Sequence, residues 1–200
     1  MHFFAYLARL KFIDRWHLMR PAVPENVEQH GFEVAVVAHA LAEIGNTYFG
    51  QHYNPAEVAL AALFHDASEV LTGDLPSPIK YASPELASAY KALEADARTR
   101  LLTMLPSELQ ETYKGLLEPQ DVATVCLVKA ADKLSAYLKA AQEVRLGNEE
   151  FRAAEIALRA QVERDELPES RYFRETFGPS YLKSLDELSR ENAVPEPQTR

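Results

Sequence analysis

The sequence predicts an all-α protein, a helical bundle that forms a single domain. Apolar residues recur with the 3.6-residue period of an α-helix along most of the chain, whereas the alternation typical of strands does not persist for more than a few residues. Helix start signals are frequent, and in them a capping residue is followed by proline or by an acidic or amide residue. Only 7 glycines interrupt the 200 residues, a length that suits one domain with its own core.

The first start signals divide the N-terminal half into helices. Asn26, with Gln29 three residues later, resembles a capping box and predicts a helix to about Ile44. Asn54 before Pro55 predicts a second helix that continues to residue 71 and stops near Gly73. Ser83 and Pro84 open a third helix, which we expect to reach residue 104.

The C-terminal half follows the same rules. A shorter helix is expected after Pro106, and Asp121 can cap a long helix that ends at residues 147–148. Further helices are predicted over residues 149–166, 169–177 and 180–190. Pro195 and Pro197 indicate a flexible tail, so we assign residues 1–190 to the domain and residues 191–200 to the tail.

Composition and charge argue against one class of function, the binding of polymeric nucleic acid. The chain is 47% hydrophobic and 26% charged, as is usual for globular proteins, and its formal net charge is −9. Such a charge disfavours binding of polymeric nucleic acid, which depends on many Lys and Arg contacts. A small anionic substrate would need a local positive charge, such as that of a bound metal ion.

The sequence predicts a cytoplasmic protein without membrane attachment. No apolar stretch is long enough to cross a bilayer, and Arg9 and Lys11 interrupt the apolar N-terminus where a signal peptide would be continuous. The single cysteine, Cys126, cannot form an internal disulfide and suits a reducing compartment. Its apolar neighbours predict that it is buried.

Polar residues on apolar helix faces are the candidates for function. His30 lies within the apolar stripe of the first long helix, formed by Val27, Val34, Val37 and Leu41. His39 lies about half a turn further around that helix, so it faces away from His30. A lone histidine on an apolar face is most often a hydrogen-bonded core residue.

The next helix carries His65 and Asp66 within a surface rich in Ala and Leu. Glu69 follows His65 by four residues and Asp66 by three, so in a continuous helix the three side chains would share one face. A His-Asp pair alone is a weak signal because it also arises by chance.

Asp132 interrupts the apolar face that Val125 and Val128 begin on the long C-terminal helix. Because burial of an unpaired carboxylate costs several kcal/mol, a partner is expected. The usual partner is Lys or Arg, and the alternative is a metal ion shared with His30 and His65-Asp66. Two imidazoles and two carboxylates suit first-row divalent ions better than Mg²⁺ or Ca²⁺. No histidine follows His65, which favours a single metal ion.

This arrangement of His30, His65-Asp66 and Asp132 resembles that of the HD-domain phosphohydrolases, and within them the bacterial 5′-deoxynucleotidases of the YfbR type. The resemblance covers nearly the whole chain. Two departures are Glu28-Gln29 before His30, where a Ser-Glu pair is more usual, and Lys133 after Asp132, which would alter the charge near the site if its side chain turned inward. The stretches that carry the resemblance are Phe3-Phe4-Ala5 through Arg9-Leu10-Lys11, Arg15-Trp16, Leu18-Met19-Arg20, Glu25-Asn26-Val27, His65-Asp66-Ala67-Ser68-Glu69-Val70-Leu71-Thr72-Gly73-Asp74-Leu75-Pro76, Ala136-Tyr137-Leu138-Lys139 and Ser184-Leu185-Asp186-Glu187.

The resemblance implies an HD-domain bundle that hydrolyses 2′-deoxyribonucleoside 5′-monophosphates and forms a homodimer. The metal ligands it implies are His30, His65, Asp66 and Asp132. The metal would be Co²⁺ or Mn²⁺, with Zn²⁺, Fe²⁺ or Cu²⁺ as alternatives. Glu69 and Asp74 would be the catalytic carboxyl groups. The expected substrate-binding residues are Arg15, Trp16, His30, Asp74, Lys80 and Asp132.

Each role has an ordinary structural alternative. Glu69 would orient water or accept its proton, but it could instead be a salt-bridged helix residue; Asp74 would protonate the departing 5′-oxygen, but Gly-Asp sequences also form turns. Arg15 would bind phosphate or form a surface ion pair. Trp16 would fill the space of a ribose 2′-hydroxyl or pack in the core. Competing functions are triphosphohydrolysis of deoxynucleotides, alarmone cleavage, and a regulatory module that binds a nucleotide without hydrolysing it.

Overall fold

The computed structural model describes residues 1–191, and in that part of the chain the regular elements are helices, accompanied by one isolated bridge between Asp14 and Asn26. The predicted all-α class is therefore confirmed. The α-helices are α1 (Phe3–Leu7), α2 (Val27–Tyr48), α3 (Pro55–Leu63), α4 (Glu69–Thr72), α5 (Ser77–Lys80), α6 (Pro84–Leu102), α7 (Ser107–Leu117), α8 (Val122–Arg145), α9 (Arg152–Glu163), α10 (Pro168–Thr176) and α11 (Leu185–Glu191). Short 3₁₀-helices cover Leu10–Phe12, Glu149–Phe151 and Gly178–Leu182.

Four of the predicted helix starts, those at Asn26, Asn54, Ser83 and Asp121, are present with their capping hydrogen bonds. At α2 the Asn26 side chain accepts from the backbone N–H of Gln29, and the Gln29 side chain accepts from the backbone N–H of Asn26, which completes a capping box. Asn54, Ser83 and Asp121 cap α3, α6 and α8, each through a side-chain oxygen that accepts a hydrogen bond from a backbone N–H three residues later. These caps fix where each long helix begins.

The core consists of two apolar clusters. The larger one joins α2, α3 and α8 and contains the predicted α2 residues Val34, Val37 and Leu41, each at most 2% exposed. The smaller cluster joins α1, α6 and α7 through Phe3, Ala67, Leu101, Leu105 and Leu117. The chain passes from the first cluster to the second between Ala62 and Ala67, and the polar site lies on this passage.

The helix predicted from Pro55 to residue 71 is wrong in one respect, because it is interrupted after Leu63. Residues 64–68 form turns before α4 begins at Glu69. The N–H groups of Phe64 and His65 bond to the carbonyls of Ala61 and Ala62, three residues back rather than four. The ring of His65 also uses the Ala62 carbonyl, so a side chain competes with the helical hydrogen-bond pattern here.

Other departures concern the ends of the chain and one side chain. Helices α1 and α5 were not predicted, and residues 180–190 form the end of a 3₁₀-helix and then α11 rather than one helix. Cys126 was predicted to be buried but is exposed, since it lies beside the buried face of α8 that carries Leu127. Residues 192–200 of the predicted tail lie outside the described residues. No helix in the described part has the length and apolar character needed to span a membrane.

Candidate metal centre

Three separate segments bring potential metal ligands to one point. His30 comes from α2, His65 from the turns after α3, and Asp132 from α8. One ligand atom from each lies within 4.8 Å of the other two. The Nε2 atom of His30 is 3.0 Å from Oδ1 of Asp132, and His30 is fully buried. Histidine and carboxylate together are the ligand chemistry of first-row divalent ions.

Asp66 joins this group through both imidazoles. Its Oδ2 atom lies 3.0 Å from Nε2 of His65 and 3.7 Å from Nε2 of His30. The four residues that the sequence singled out as ligands are therefore neighbours, although α2 and α8 are about a hundred residues apart in the chain. The expected alternative for Asp132, a Lys or Arg partner, is not the arrangement found, because its partner is His30. The adjacent Lys133 is exposed.

The hydrogen bonds of the histidines fit a bound cation. Nδ1 of His65 is 2.7 Å from the carbonyl oxygen of Ala62, and a carbonyl only accepts, so this nitrogen carries the proton. Nε2 is also buried and faces Oδ2 of Asp66 at 3.0 Å, without a well-directed hydrogen bond to any described residue. A histidine that donates one N–H to a backbone carbonyl and points its other nitrogen at an ion is the usual form of a metal-ligating imidazole, and a bound cation would replace the proton that Nε2 carries without it.

The charges of the site also fit a cation. Burial lowers the pKa of His65, but Asp66 and Asp132 outweigh that effect and raise the pKa to about 9. Burial raises the pKa of Asp66 and of Asp132, yet the facing histidines hold both pKa values below the ordinary range. Two ionised carboxylates thus demand positive charge, which an imidazolium or a divalent ion can supply.

Glu69 is a buried carboxyl group beside the ligands. It begins α4, is 5% exposed, and its Oε2 atom has no hydrogen-bond partner in the described part of the chain. Burial, Asp66 and Asp74 raise the pKa of Glu69 to about 9. The prediction that Glu69 shares one helical face with His65 and Asp66 is wrong, because the helix is broken between them. The turns over residues 64–68 bring Glu69 to the site instead.

Asp74 follows a glycine whose backbone conformation is accessible to few other residues. Gly73 has φ +73° and ψ 163°, and its carbonyl accepts a hydrogen bond of 3.0 Å from the Tyr90 hydroxyl. Burial raises the pKa of Asp74, Asp66 raises it further, and Arg15 opposes them. A carboxyl group whose pKa is raised above its ordinary range holds its proton to higher pH, which suits it to act as an acid.

Arg15 and Trp16 lie on the segment that leads into α2. The guanidinium NH1 atom of Arg15 is 3.8 Å from Oδ2 of Asp66, and its Nε donates to Glu25 over 3.2 Å. Burial lowers the pKa of Arg15, but Glu25 and Asp66 more than compensate and raise it, so the group stays charged. Its side chain is 13% exposed, unlike that of an ordinary surface ion pair.

Trp16 adopts a backbone conformation that is unusual for a bulky residue, with φ +58°. Such a left-handed conformation costs about 1–3 kcal/mol, which surrounding contacts must offset. Its indole Nε1 donates to Glu25 over 2.6 Å, and its ring centroid lies 5.3 Å from that of Phe151. Glu25 lies within a stretch that carries the family resemblance, but the residue pattern predicted no role for it. The signal that could have indicated a role is its position directly before the Asn26 cap.

Two further predicted positions lie away from the ligands. The ammonium group of Lys80 pairs with Glu94 at 2.7 Å and lies 4.6 Å from the centroid of the Tyr90 ring. Lys80 is therefore connected to the site only indirectly, since Tyr90 bonds to Gly73. His39 is half exposed and faces away from His30, as its spacing predicted.

Comparisons with known proteins agree with this geometry. The family model described as 5′-deoxynucleotidase YfbR-like matches residues 2–181. A 5′-deoxynucleotidase of Vibrio parahaemolyticus is 50% identical over 190 residues, which cover 94% of this chain and 98% of the relative. The 5′-deoxynucleotidase YfbR of Escherichia coli is 48% identical over 195 residues, which cover 96% and 98%.

Solved structures share the fold. An HD-domain phosphohydrolase from Listeria innocua superposes with a TM-score of 0.79 at 23% identity, covering 95% of this chain and 96% of that one. The HD phosphohydrolase of cyanophage S-2L, solved with dA and one catalytic Zn²⁺ ion, gives a TM-score of 0.63 at 19% identity, covering 90% and 96%. These likenesses place the chain among all-α HD-domain folds.

Proposed function

The chain belongs to the YfbR-like 5′-deoxynucleotidase family, from which we infer that it is a metal-dependent phosphohydrolase of 2′-deoxyribonucleoside 5′-monophosphates. The products are a deoxynucleoside and inorganic phosphate. The observation that carries this conclusion is the convergence of His30, His65 and Asp132, with Asp66 beside both imidazoles. We propose that these four residues hold the metal ion.

A divalent ion bound here would neutralise phosphate charge and lower the pKa of a bound water. Carboxyl groups of the protein would accept and donate the protons of the reaction. Glu69, with its unpartnered Oε2, orients the attacking water and accepts its proton once ionised. The water oxygen bonds to phosphorus as the bond to the 5′-oxygen breaks, and Asp74 gives its proton to that oxygen. The raised pKa of Asp74 supports this role.

Arg15 and Trp16 would bind and select the substrate. A guanidinium group beside Asp66 can donate two parallel hydrogen bonds to a phosphate near the metal. The Trp16 ring would occupy the space that a ribose 2′-hydroxyl requires. His30 and Asp132 contribute to the same pocket as ligands. Lys80 stays a prediction as a phosphate contact, since its ammonium group is already paired with Glu94.

Metal identity, assembly and location are further parts of the proposal. The mixed nitrogen and oxygen ligands support Co²⁺ or Mn²⁺, with Zn²⁺, Fe²⁺ or Cu²⁺ as alternatives. An aromatic surface that includes the exposed Tyr48, stacked on Tyr172 at 4.9 Å, and the exposed Phe177 is compatible with a homodimer. The single cysteine of the chain supports a reducing compartment such as the cytoplasm.

The activity is tested with deoxy- and ribonucleoside monophosphates, each assayed for phosphate release with a panel of divalent ions. We expect orthophosphate from the deoxynucleotides, little from the ribonucleotides, and none without metal. Asp132→Asn should lose both metal and activity, while His39→Ala, a histidine change on the opposite face of α2, should retain both.

Other outcomes would point to the competing functions. Release of pyrophosphate or triphosphate from nucleotide substrates would indicate a triphosphohydrolase or an alarmone hydrolase. A metal-loaded protein that releases no phosphate from any nucleotide would instead be a binding module. Either result contradicts the proposed monoesterase.

A further inference from the structure

Glu25 connects the two residues that the proposed function assigns to the substrate. Its side chain is 7% exposed, and one carboxylate oxygen, Oε2, accepts hydrogen bonds from Trp16 Nε1 at 2.6 Å and Arg15 Nε at 3.2 Å. Hydrogen bonds to a buried carboxylate are among the stronger ones in proteins. Both donors are therefore fixed relative to the same atom.

The backbone places Glu25 for this task. Arg15 donates its N–H to the Glu25 carbonyl at 2.9 Å, and Val27 donates to the Ile13 carbonyl at 3.0 Å, around the bridge between Asp14 and Asn26. These bonds hold the two ends of the segment from residue 14 to residue 26 together. They fix the main chain, but leave the direction of the Arg15 and Trp16 side chains to other contacts.

Trp16 depends on such contacts, because its left-handed backbone is not intrinsically favoured. The Phe151 ring lies beside the indole, but aromatic contacts of this kind permit a range of tilts. The hydrogen bond from Nε1 to Glu25 is directional and has one acceptor atom. It is the contact that fixes the direction in which the Nε1 edge of the indole points.

Arg15 extends the connection to the metal ligands. Its NH1 atom is 3.8 Å from Oδ2 of Asp66, while its Nε is occupied by Glu25. A guanidinium group has five N–H donors, so the bond to Glu25 leaves four for a phosphate. A continuous series of contacts thus runs from Asp66 through Arg15 and Glu25 to Trp16.

We propose that Glu25 is a positioning residue that orients Trp16 and Arg15 and thereby sets the preference for deoxyribose over ribose. The proposal rests on the proposed function, in which Trp16 excludes the 2′-hydroxyl. Glu25 itself does not contact the reacting atoms. Without its carboxylate, the indole is free to turn away and the ribose pocket is no longer closed.

The test compares Glu25→Gln with Glu28→Gln, the same change at an exposed acid three residues later. The measurement is kcat/KM for a deoxynucleoside monophosphate and for its ribose counterpart. In Glu25→Gln we expect the deoxyribose-to-ribose ratio to fall about tenfold or more, the usual effect of losing a hydrogen bond to a charged group. In Glu28→Gln the ratio should be that of the wild type.

Trp16 is the only tryptophan of the chain, so its fluorescence reports directly on the proposed contact. Glu25→Gln should shift the emission and increase quenching by acrylamide, whereas Glu28→Gln should change neither. Circular dichroism and thermal unfolding establish that both variants are folded. Unchanged emission together with an unchanged ratio in a folded Glu25→Gln protein would overturn the proposal.

Two variants of Trp16 separate this proposal from the one it rests on. Trp16→Phe keeps an aromatic ring but removes the N–H donor, and it should also lose the preference; full preference in this variant would overturn the role of Glu25 even if Glu25→Gln does not fold. If Trp16→Ala still rejected ribonucleotides, Trp16 would not determine the preference for deoxyribose, and Glu25 could not act through it. A wild-type protein that hydrolyses neither nucleotide would contradict the proposed function itself.

Discussion

The carboxyl group of Glu69 lies in surroundings that disfavour its charged form. It is 5% exposed, its Oε2 lacks a hydrogen-bond partner among the described residues, and Asp66 and Asp74 are nearby charges of the same sign. Burial and these neighbours raise the pKa of Glu69 to about 9. In the unfolded chain a glutamate titrates at about 4.5, so the metal-free folded protein keeps a proton that the unfolded chain has lost.

This difference makes a prediction about stability and pH. Between pH 5 and 8 the metal-free folded state binds more protons than the unfolded state at Glu69, so its stability falls as pH rises, by about 1 kcal/mol per pH unit. Glu69→Gln removes the titrating group, and we expect this variant to be more stable than the wild type, increasingly so at higher pH. Urea unfolding of both proteins at pH 5, 6, 7 and 8, after a chelator has removed the metal, measures the difference in their free energies of unfolding.

The same variant should lose turnover while it retains metal. Glu69→Gln keeps the shape of the side chain and leaves the four ligands in place, so metal content should stay near that of the wild type. A gain in stability with a loss of activity would identify a group kept for catalysis rather than for folding. A less stable variant with normal turnover would contradict both the pKa and the role.

At the scale of secondary structure, the break between α3 and α4 sets the directions in which the side chains of the site point. A continuous helix from Pro55 would leave Ala62, His65, Asp66 and Glu69 at fixed helical positions. The turns over residues 64–68 instead let the His65 ring reach the Ala62 carbonyl, while Ala67 packs in the second apolar cluster. The end of α4 also positions a residue of the site. The positive φ of Gly73 turns the chain at this point and so sets the position of Asp74.

Gly73→Ala tests this element against a matched glycine. At φ +73° and ψ 163° a side chain is strained even though no atom lies within 4 Å of the position that its Cβ would take, so the chain should rotate and move Asp74. We expect kcat to fall at least tenfold, as in Asp74→Asn, with metal content unchanged. Gly115→Ala, in the last turn of α7 where a Cβ would meet no atom within 4 Å, should retain activity and gain about 0.4–1 kcal/mol.

An active Gly73→Ala protein would show that Asp74 is not positioned by this turn. If Gly73→Ala also lost its metal, the substitution would have disturbed the ligands, and Asp74 would have to be judged from Asp74→Asn alone. Unfolding of both glycine variants in urea supplies the stability difference. Metal analysis of the same samples supplies the occupancy.

For the whole molecule, the proposed metal site joins elements that are distant in the chain. His30 on α2 and Asp132 on α8 flank the segment after α3, and these three elements also form the larger apolar cluster. Without a cation, the ionised Asp66 and Asp132 face a protonated His65 and the guanidinium group of Arg15. A divalent ion binds the folded arrangement and not the unfolded chain, so it stabilises the fold.

Metal removal should therefore lower the unfolding temperature. An ion present at a hundred times its dissociation constant contributes about 2.7 kcal/mol, which for a chain of this size corresponds to roughly 5–10 °C. Scanning calorimetry with chelator, and again after Co²⁺ or Mn²⁺ is restored, measures the shift. Asp132→Asn should not respond to metal, whereas His39→Ala should respond as the wild type does. Equal unfolding temperatures with and without metal in the wild type would argue against the site.

The sequence by itself determined the all-α class and most helix starts, because caps such as Asn26, Ser83 and Asp121 act on residues within one turn. It also singled out His30 and Asp132, since a polar group on an apolar stripe is visible in the periodicity. Family resemblance then indicated Glu69, Asp74, Arg15 and Trp16, which the residue pattern alone left with ordinary alternatives.

Only the tertiary structure decided how those residues meet. The interruption at residues 64–68 depends on a ring-to-carbonyl bond and on the gap between two apolar clusters, and neither follows from a 3.6-residue period. The contact between Glu25 and Trp16 likewise depends on how the segment between them folds back. The raised pKa of Glu69 depends on its burial and on Asp66 and Asp74, which the turns bring close to it. Periodicity and capping are local, whereas burial, charge and ligand geometry depend on which segments pack together.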